Sequence, residues 1–234
     1  MISISDLTVE FGSVRPLDGL NAELAAPIVG LIGPNGAGKT TLLNVLSGFI
    51  KPRDGSISID DTIIDRLSPI ARVKFGLRRS FQQELVVQDL TAAENIQALA
   101  DHVSRASEAA ADVDRAISFV GLGERRAVIG RRLTLYDRRM VEIGKTLIGK
   151  PKVILLDEPG AGLNDSETAG LRRVLLGIPT NFNVQVVLID HDADLIASVC
   201  SETMVLDFGK RLALGPTRAV LDDPDVRRAY LGRA

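Results

Sequence analysis

One cysteine, Cys200, and two histidines, His102 and His191, are all that this 234-residue sequence offers for disulfides or zinc sites. A lone cysteine excludes an internal disulfide, which suits a reducing compartment, and there is no cysteine cluster to hold a structural metal. Lysine and arginine total 28 against 30 aspartates and glutamates, a formal net charge of −2, so no basic surface for nucleic acid is expected. No apolar run approaches the ~20 residues that a membrane span requires. The opening residues Met1-Ile2-Ser3-Ile4-Ser5-Asp6 have no basic stretch and no long apolar core, and are not expected to be a signal peptide. Heptads, internal repeats and low-complexity segments are also missing. The expected location is therefore cytoplasmic, with any membrane role carried by a partner. What is present is ordinary for a soluble globular protein: 45% hydrophobic and 25% charged residues, in a length that suits one large α/β domain or two small ones.

Ile2, Ile4, Leu7, Val9 and Phe11 make a roughly alternating apolar pattern that predicts an opening strand, closed by Phe11-Gly12. Short strands are expected at 20–24 and 28–32, with a helix from Thr41. Lys51-Pro52-Arg53-Asp54-Gly55 is a turn signal, and residues 56–60 alternate as a strand. Ser68-Pro69 opens a helix to about Phe75, and residues 77–82 read as a short strand ending in Gln82. The character then becomes helical. Thr91-Ala92-Ala93-Glu94 is a capping-box pattern, and further helices are expected over 106–120 and 136–148, so residues 86–148 read as a helical insertion in an α/β body. The run Val153-Ile154-Leu155-Leu156 has the continuous apolar character of a strand buried on both faces. A helix over 164–178, a strand over 184–189, a helix over 192–199 and a strand over 203–206 follow. The hairpin turn Asp207-Phe208-Gly209-Lys210 comes next, and residues 217–232 read as short helices.

The stretch Gly33-Pro34-Asn35-Gly36-Ala37-Gly38-Lys39-Thr40-Thr41 fits the Walker A pattern G-x-x-x-x-G-K-[ST], between an apolar strand and a helix as that motif requires. Its glycines let backbone N–H groups turn onto phosphate oxygens, and the following helix aims its positive end at the same anion. Asn35, Gly36, Gly38, Lys39, Thr40 and Thr41 are thus candidate nucleotide-binding residues. Lys39 would reach the β- and γ-phosphates and the Thr40 hydroxyl would ligate Mg²⁺. Asp157 ends the apolar run 153–156, at the Walker B position where a carboxylate completes Mg²⁺ coordination. Glu158 is then placed to polarise a water for attack on the γ-phosphate, against the alternative of an acidic pair in an exposed loop. Taken singly, Gln82 reads as a surface glutamine and His191 as a structural histidine. Both gain weight from lying at strand ends, where ligands of α/β sheets sit. His102, on a polar helix, is assigned to solvent.

The order Phe11-Gly12, the 33–41 loop, Ser80-Phe81-Gln82, a helical insertion, Leu155-Leu156-Asp157-Glu158-Pro159, Gly162-Leu163-Asn164 and Ile189-Asp190-His191 resembles the ATP-binding subunits of ABC transporters over nearly the whole chain. The resemblance implies an α/β P-loop NTPase fold. In it a RecA-like core with an N-terminal antiparallel β subdomain (1–85 and 149–234) carries an inserted helical subdomain (86–148), all as one domain. It implies an ATPase with ATP and Mg²⁺ as cofactors. Phe11 would stack on adenine, Gln82 would couple Mg²⁺ to the membrane partner, Asn164 would contact an opposing subunit, and His191 would hold the γ-phosphate and water. Gly76-Leu77-Arg78-Arg79-Ser80-Phe81-Gln82, Leu90-Thr91-Ala92-Ala93-Glu94-Asn95-Ile96, Gly160-Ala161-Gly162-Leu163-Asn164 and the ending Ala229-Tyr230-Leu231-Gly232 are similar to importers of branched-chain amino acids. Urea and short-chain amide importers share these features, and the lipopolysaccharide-export ATPase has a similar ending. Such subunits work as homo- or heterodimers on membrane permeases, indirectly with an extracytoplasmic solute-binding protein, which would place the chain on the inner face of the membrane.

One segment departs from the family. Its signature, Leu-Ser-Gly-Gly-Gln, falls here on Leu133-Thr134-Leu135-Tyr136-Asp137. Thr134 keeps a hydroxyl, but both glycines and the glutamine are replaced. Either Tyr136 and Asp137 obstruct the phosphate of an opposing subunit, or the backbone donors survive as a tolerated variant. The readings that compete with an importer are a lipid or lipopolysaccharide exporter and a non-transport regulatory ABC protein with weak hydrolysis.

Overall fold

The computed structural model describes residues 1–83 and 85–231; Gly232 of the expected ending lies outside them. In chain order its elements are β1 (Ile2–Phe11), β2 (Val14–Leu24), β3 (Ile28–Ile32), α1 (Lys39–Leu46), β4 (Asp54–Ile59), β5 (Thr62–Ile63), α2 (Pro69–Phe75) and β6 (Leu77–Arg79). Helices α3 (Ala92–Val103), α4 (Ala109–Phe119) and α5 (Leu135–Thr146) precede β7 (Val153–Asp157), α6 (Asp165–Phe182), β8 (Gln185–Ile189) and α7 (Ala193–Val199). The chain closes with β9 (Glu202–Asp207), β10 (Lys210–Pro216), α8 (Thr217–Asp222) and α9 (Pro224–Val226). Two compact units result: Met1–Arg72 with Gln185–Ala234, and Val73–Val184.

The first unit holds an antiparallel sheet in the order β2-β1-β4-β5. Strand β1 buries Ile2, Ile4, Leu7 and Val9. Its alternation skips one residue at Asp6, whose φ of +47° marks an irregularity in the pairing, and that is why Leu7 follows Ile4 by three. Phe11, expected as the last apolar residue of this pattern, is instead 54% exposed. Strand β2 is longer than the expected 20–24 and pairs back from Leu24 to Val14. Its N-terminal half is polar and contains Pro16, and both are tolerated because β2 is an edge strand.

The same unit contains β3 between β8 and β9, parallel to both, with β10 antiparallel on β9. Every residue of β3 is buried. Cys200 packs near Gly30 of this strand, and burial, helped by Asp190, pushes its thiol pKa up to about 12.

The second unit pairs β6 and β7 in parallel and packs α3, α4 and α5 on one another. Their apolar core includes Ile96, Val113, Ile117, Met140 and Ile143. Helix α6 runs to Phe182 rather than 178, through Pro179, and stops at Asn183 with a φ of +50°. Its last turn is held by Phe182, packed edge-on against Phe119 at 4.9 Å and covered by the Arg115 guanidinium.

Candidate nucleotide and metal site

Phe11, Asn35, Gly36, Gly38, Lys39, Thr40, Thr41 and His191 all lie in the first unit. Because β3 and β8 run parallel and side by side, the loop after β3 and His191 after β8 leave the sheet at the same edge. Gly33 turns the chain out of β3 with a φ of +146°, and a Cβ there would overlap the Leu206 carbonyl oxygen of β9. Gly38 is the N-cap of α1 and makes no side-chain cap, so the first N–H groups of that helix face the loop uncapped by any side chain. Lys39 is buried and curls under the loop, its Nζ donating to the carbonyls of Gly33 at 2.6 Å and Pro34 at 3.0 Å. Asn35, Gly36 and Thr40 are exposed on the outer face. Phe11 offers its ring to solvent at the β1–β2 hairpin, as a stacking platform requires. Tyr230 donates its hydroxyl to the His191 carbonyl at 3.3 Å.

Gln82, Asp157 and Glu158 lie in the second unit. Here β6 and β7 are parallel with Arg79 opposite Leu155, so the residues after Arg79 and the Asp157-Glu158 pair emerge together. Gln82 Nε2 donates to Glu158 Oε2 at 3.0 Å. Asp157 is buried; its carboxylate accepts from Arg79 Nη2 at 3.1 Å and its backbone N–H donates to Ser80 Oγ at 3.3 Å. Burial lowers the Arg79 pKa, and the hydrogen bond and charge of Asp157 oppose that shift. Glu158 has a φ of +51°, a left-handed conformation that costs a non-glycine residue about 1–3 kcal/mol and holds its side chain at the turn after β7. Sequence reasoning missed Arg79 and Ser80. The available signal was an arginine next to buried strand positions, which needs a carboxylate partner.

The donor chemistry fits Mg²⁺. Among the described residues there is no group of three or more His, Cys, Asp or Glu side chains able to cage a metal. Mg²⁺ is usually held by one or two carboxylates together with water and substrate phosphates, and the Asp157 carboxylate is an oxygen donor of that kind.

The segment aligned with the family signature opens α5. Thr134 is its N-cap: Thr134 Oγ1 accepts from the Asp137 N–H at 3.1 Å, and the Asp137 carboxylate accepts from the Thr134 N–H at 3.3 Å. Asp137 thus turns back onto its own helix as the N3 member of a capping box, a role open to the family's glutamine as well. Tyr136 lies along α6, its hydroxyl 2.5 Å from where a Cβ on Gly170 would be. Asn164 caps α6 in the same way, accepting from the Glu167 N–H at 3.0 Å.

Residues 17–161 match the family model described as ABC transporter. The high-affinity branched-chain amino acid transport ATP-binding protein LivG of Escherichia coli (strain K12) is 33% identical, with 100% of this chain and 98% of that protein covered. The lipopolysaccharide export system ATP-binding protein LptB of Acidithiobacillus ferridurans is 32% identical over 88% of this chain and 85% of its own. The fold superposes on the crystal structure of the ADP conformation of MJ1267, an ATP-binding cassette of an ABC transporter, with a TM-score of 0.88 at 24% identity, covering 100% and 99% of the two chains. A phosphate loop on a parallel sheet, a carboxylate pair at a strand end and these full-length likenesses bear out the resemblance read from the motifs: the chain belongs to the ABC transporter family, as an ATP-binding cassette.

Proposed function

We propose that this chain binds and hydrolyses ATP to drive an importer of branched-chain amino acids or a related small polar solute. The observation that carries the solute class is the likeness to LivG, which covers 100% of this chain at 33% identity, where LptB covers 88% at 32%. Phe11 stacks the adenine, and the 33–41 loop with Lys39 holds the phosphates. Thr40, Gln82 and Asp157 hold Mg²⁺, which when bound neutralises charge on the β- and γ-phosphate oxygens. Glu158 orients and deprotonates the attacking water, and His191 holds the γ-phosphate side of it. Within this reading residues 1–85 and 149–234 form the catalytic core and 86–148 the helical subdomain. No helix among the described residues is long and apolar enough to cross a membrane. As a member of this family the chain acts on the inner face through permease subunits, dimerised with itself or with a second ABC ATPase.

The lipopolysaccharide-export reading is the second candidate, supported by the 32% identity to LptB. The test is reconstitution of the chain in liposomes with whichever permease and solute-binding proteins its neighbouring genes encode. Leucine, isoleucine or valine on the binding protein is expected to raise ATP turnover severalfold. Stimulation by lipopolysaccharide and none by the amino acids would overturn the importer reading.

A further inference from the structure

Arg78 and Arg79 are consecutive on β6 and point to opposite sides, as neighbours on a strand do. Arg78 donates to the carbonyls of Val73, Leu77 and Ile148. Arg72, also buried, donates to the carbonyls of Val45 and Leu46. Arg79 instead meets a carboxylate: its Nη2 lies 3.1 Å from Asp157 Oδ2, with the two side chains only 6% and 8% exposed. Its guanidinium carbon sits 4.8 Å from the centre of the Phe81 ring, so an aromatic face holds the cation in place beside the carboxylate.

We infer that Arg79 is the resident counter-cation of Asp157, neutralising the buried carboxylate when no divalent ion is there and thereby weakening its hold on one. This rests on the reading of Asp157 as a metal ligand. A carboxylate out of water needs a nearby positive charge, and Arg79 supplies it from the same pair of strands. A divalent cation approaching Asp157 meets that charge at short range in a poorly screened setting, and its affinity falls. Ser80, holding the Asp157 N–H, keeps the carboxylate's backbone fixed while the balance of charge around it changes. The site then takes a metal firmly only when nucleotide phosphates arrive with it, so Mg²⁺ enters as a complex with the substrate. A merely structural ion pair predicts only that breaking it destabilises the unit.

The test is Mn²⁺ binding to the full chain without nucleotide, followed by electron paramagnetic resonance, with Mg²⁺ as competitor. Arg79→Met, of similar length and no charge, is expected to bind Mn²⁺ at least tenfold more tightly than wild type. Arg79→Gln is expected to show the same gain, Arg79→Lys to match wild type, and Arg79→Met with Asp157→Asn to lose the gain. In parallel, thermal unfolding of Arg79→Met is expected at a lower temperature than wild type in EDTA and is restored by Mn²⁺. Arg79→Met or Arg79→Gln binding Mn²⁺ no more tightly than wild type would overturn the inference, as would an Arg79→Met that stays unfolded with Mn²⁺ present. The underlying metal-ligand reading is tested separately by Asp157→Asn alone with Mn²⁺ and ADP. If that variant retains nucleotide-dependent Mn²⁺ binding, the ligand reading fails. If it loses that binding while Arg79→Met gains nothing, only the role of Arg79 fails.

Discussion

Glu158→Gln is expected to lower ATP turnover by at least about 10²-fold while leaving nucleotide affinity within a few-fold of wild type. The substitution keeps the length and shape of the side chain. A glutamine oxygen still accepts from Gln82 Nε2, the contact that Glu158 makes at 3.0 Å. The left-handed turn at residue 158 is unchanged, because glutamine meets the same backbone restriction as glutamate. What disappears is the capacity to take a proton from the attacking water, and removal of a positioned general base typically costs 10²–10⁴-fold. Steady-state phosphate release and equilibrium ADP binding, measured on the same preparation, separate the two effects. A variant that turns over at more than a tenth of the wild-type rate removes Glu158 from the chemistry.

The same substitution probes the altered signature segment. If the chain works with a different ATPase subunit that carries an intact signature, the two composite sites are unequal. Glu158→Gln then abolishes most transport-coupled hydrolysis, and the matching substitution in the partner matters much less. Equal losses from the two would show that Leu133–Asp137 supports hydrolysis as well as the intact form. The structure bears on this choice: the Asp137 carboxylate is engaged with the Thr134 N–H, and Tyr136 lies along α6 at Gly170.

The second large effect belongs to Gly33. Gly33→Ala is expected to cost on the order of 4 kcal/mol or more, since it combines a φ of +146° with overlap against the backbone carbonyl of Leu206 in a buried strand. For a chain of this size that corresponds to a fall in unfolding temperature of roughly 8–16 °C. Gly36→Ala is the matched control. A Cβ at Gly36 meets nothing within 4 Å, so the cost there is confined to its φ of +82°, about 1–2 kcal/mol. Differential scanning fluorimetry of the two variants ranks them. If Gly33→Ala unfolds no earlier than Gly36→Ala, the close approach of the loop to β9 is not what the fold depends on.

Much of this architecture was legible because its signals are local. The 33–41 loop is contiguous and announces itself by glycine spacing and a lysine. Asp157 and Glu158 follow an apolar run that is a strand in either reading. What was illegible depended on pairing across the chain. The N-terminal half of β2 is polar, contains a proline and gains its strand character only from hydrogen bonds to β1. The slip at Asp6 is a backbone irregularity that no hydrophobic pattern encodes, and it accompanies a Phe11 that is exposed rather than buried. Arg79 reveals its role only when β6 is set beside β7. The Thr134–Asp137 pair was legible only in part. Set against the family signature it reads either as an obstruction or as a tolerated variant, whereas Thr-x-x-Asp before an apolar helix is itself a capping pattern, and the helix uses it so.

Isothermal titration of MgATP into the purified chain and its Lys39→Ala variant tests the central claim most directly. Lys39 now contacts the carbonyls of Gly33 and Pro34, and on binding its ammonium is the charge in the loop that meets the phosphates. One ATP per chain is expected for wild type, with affinity reduced at least about 100-fold in Lys39→Ala, a loss of some 2.7 kcal/mol. Absence of binding by wild type, or equal binding by the two proteins, would contradict the assignment of this loop as the ATP site.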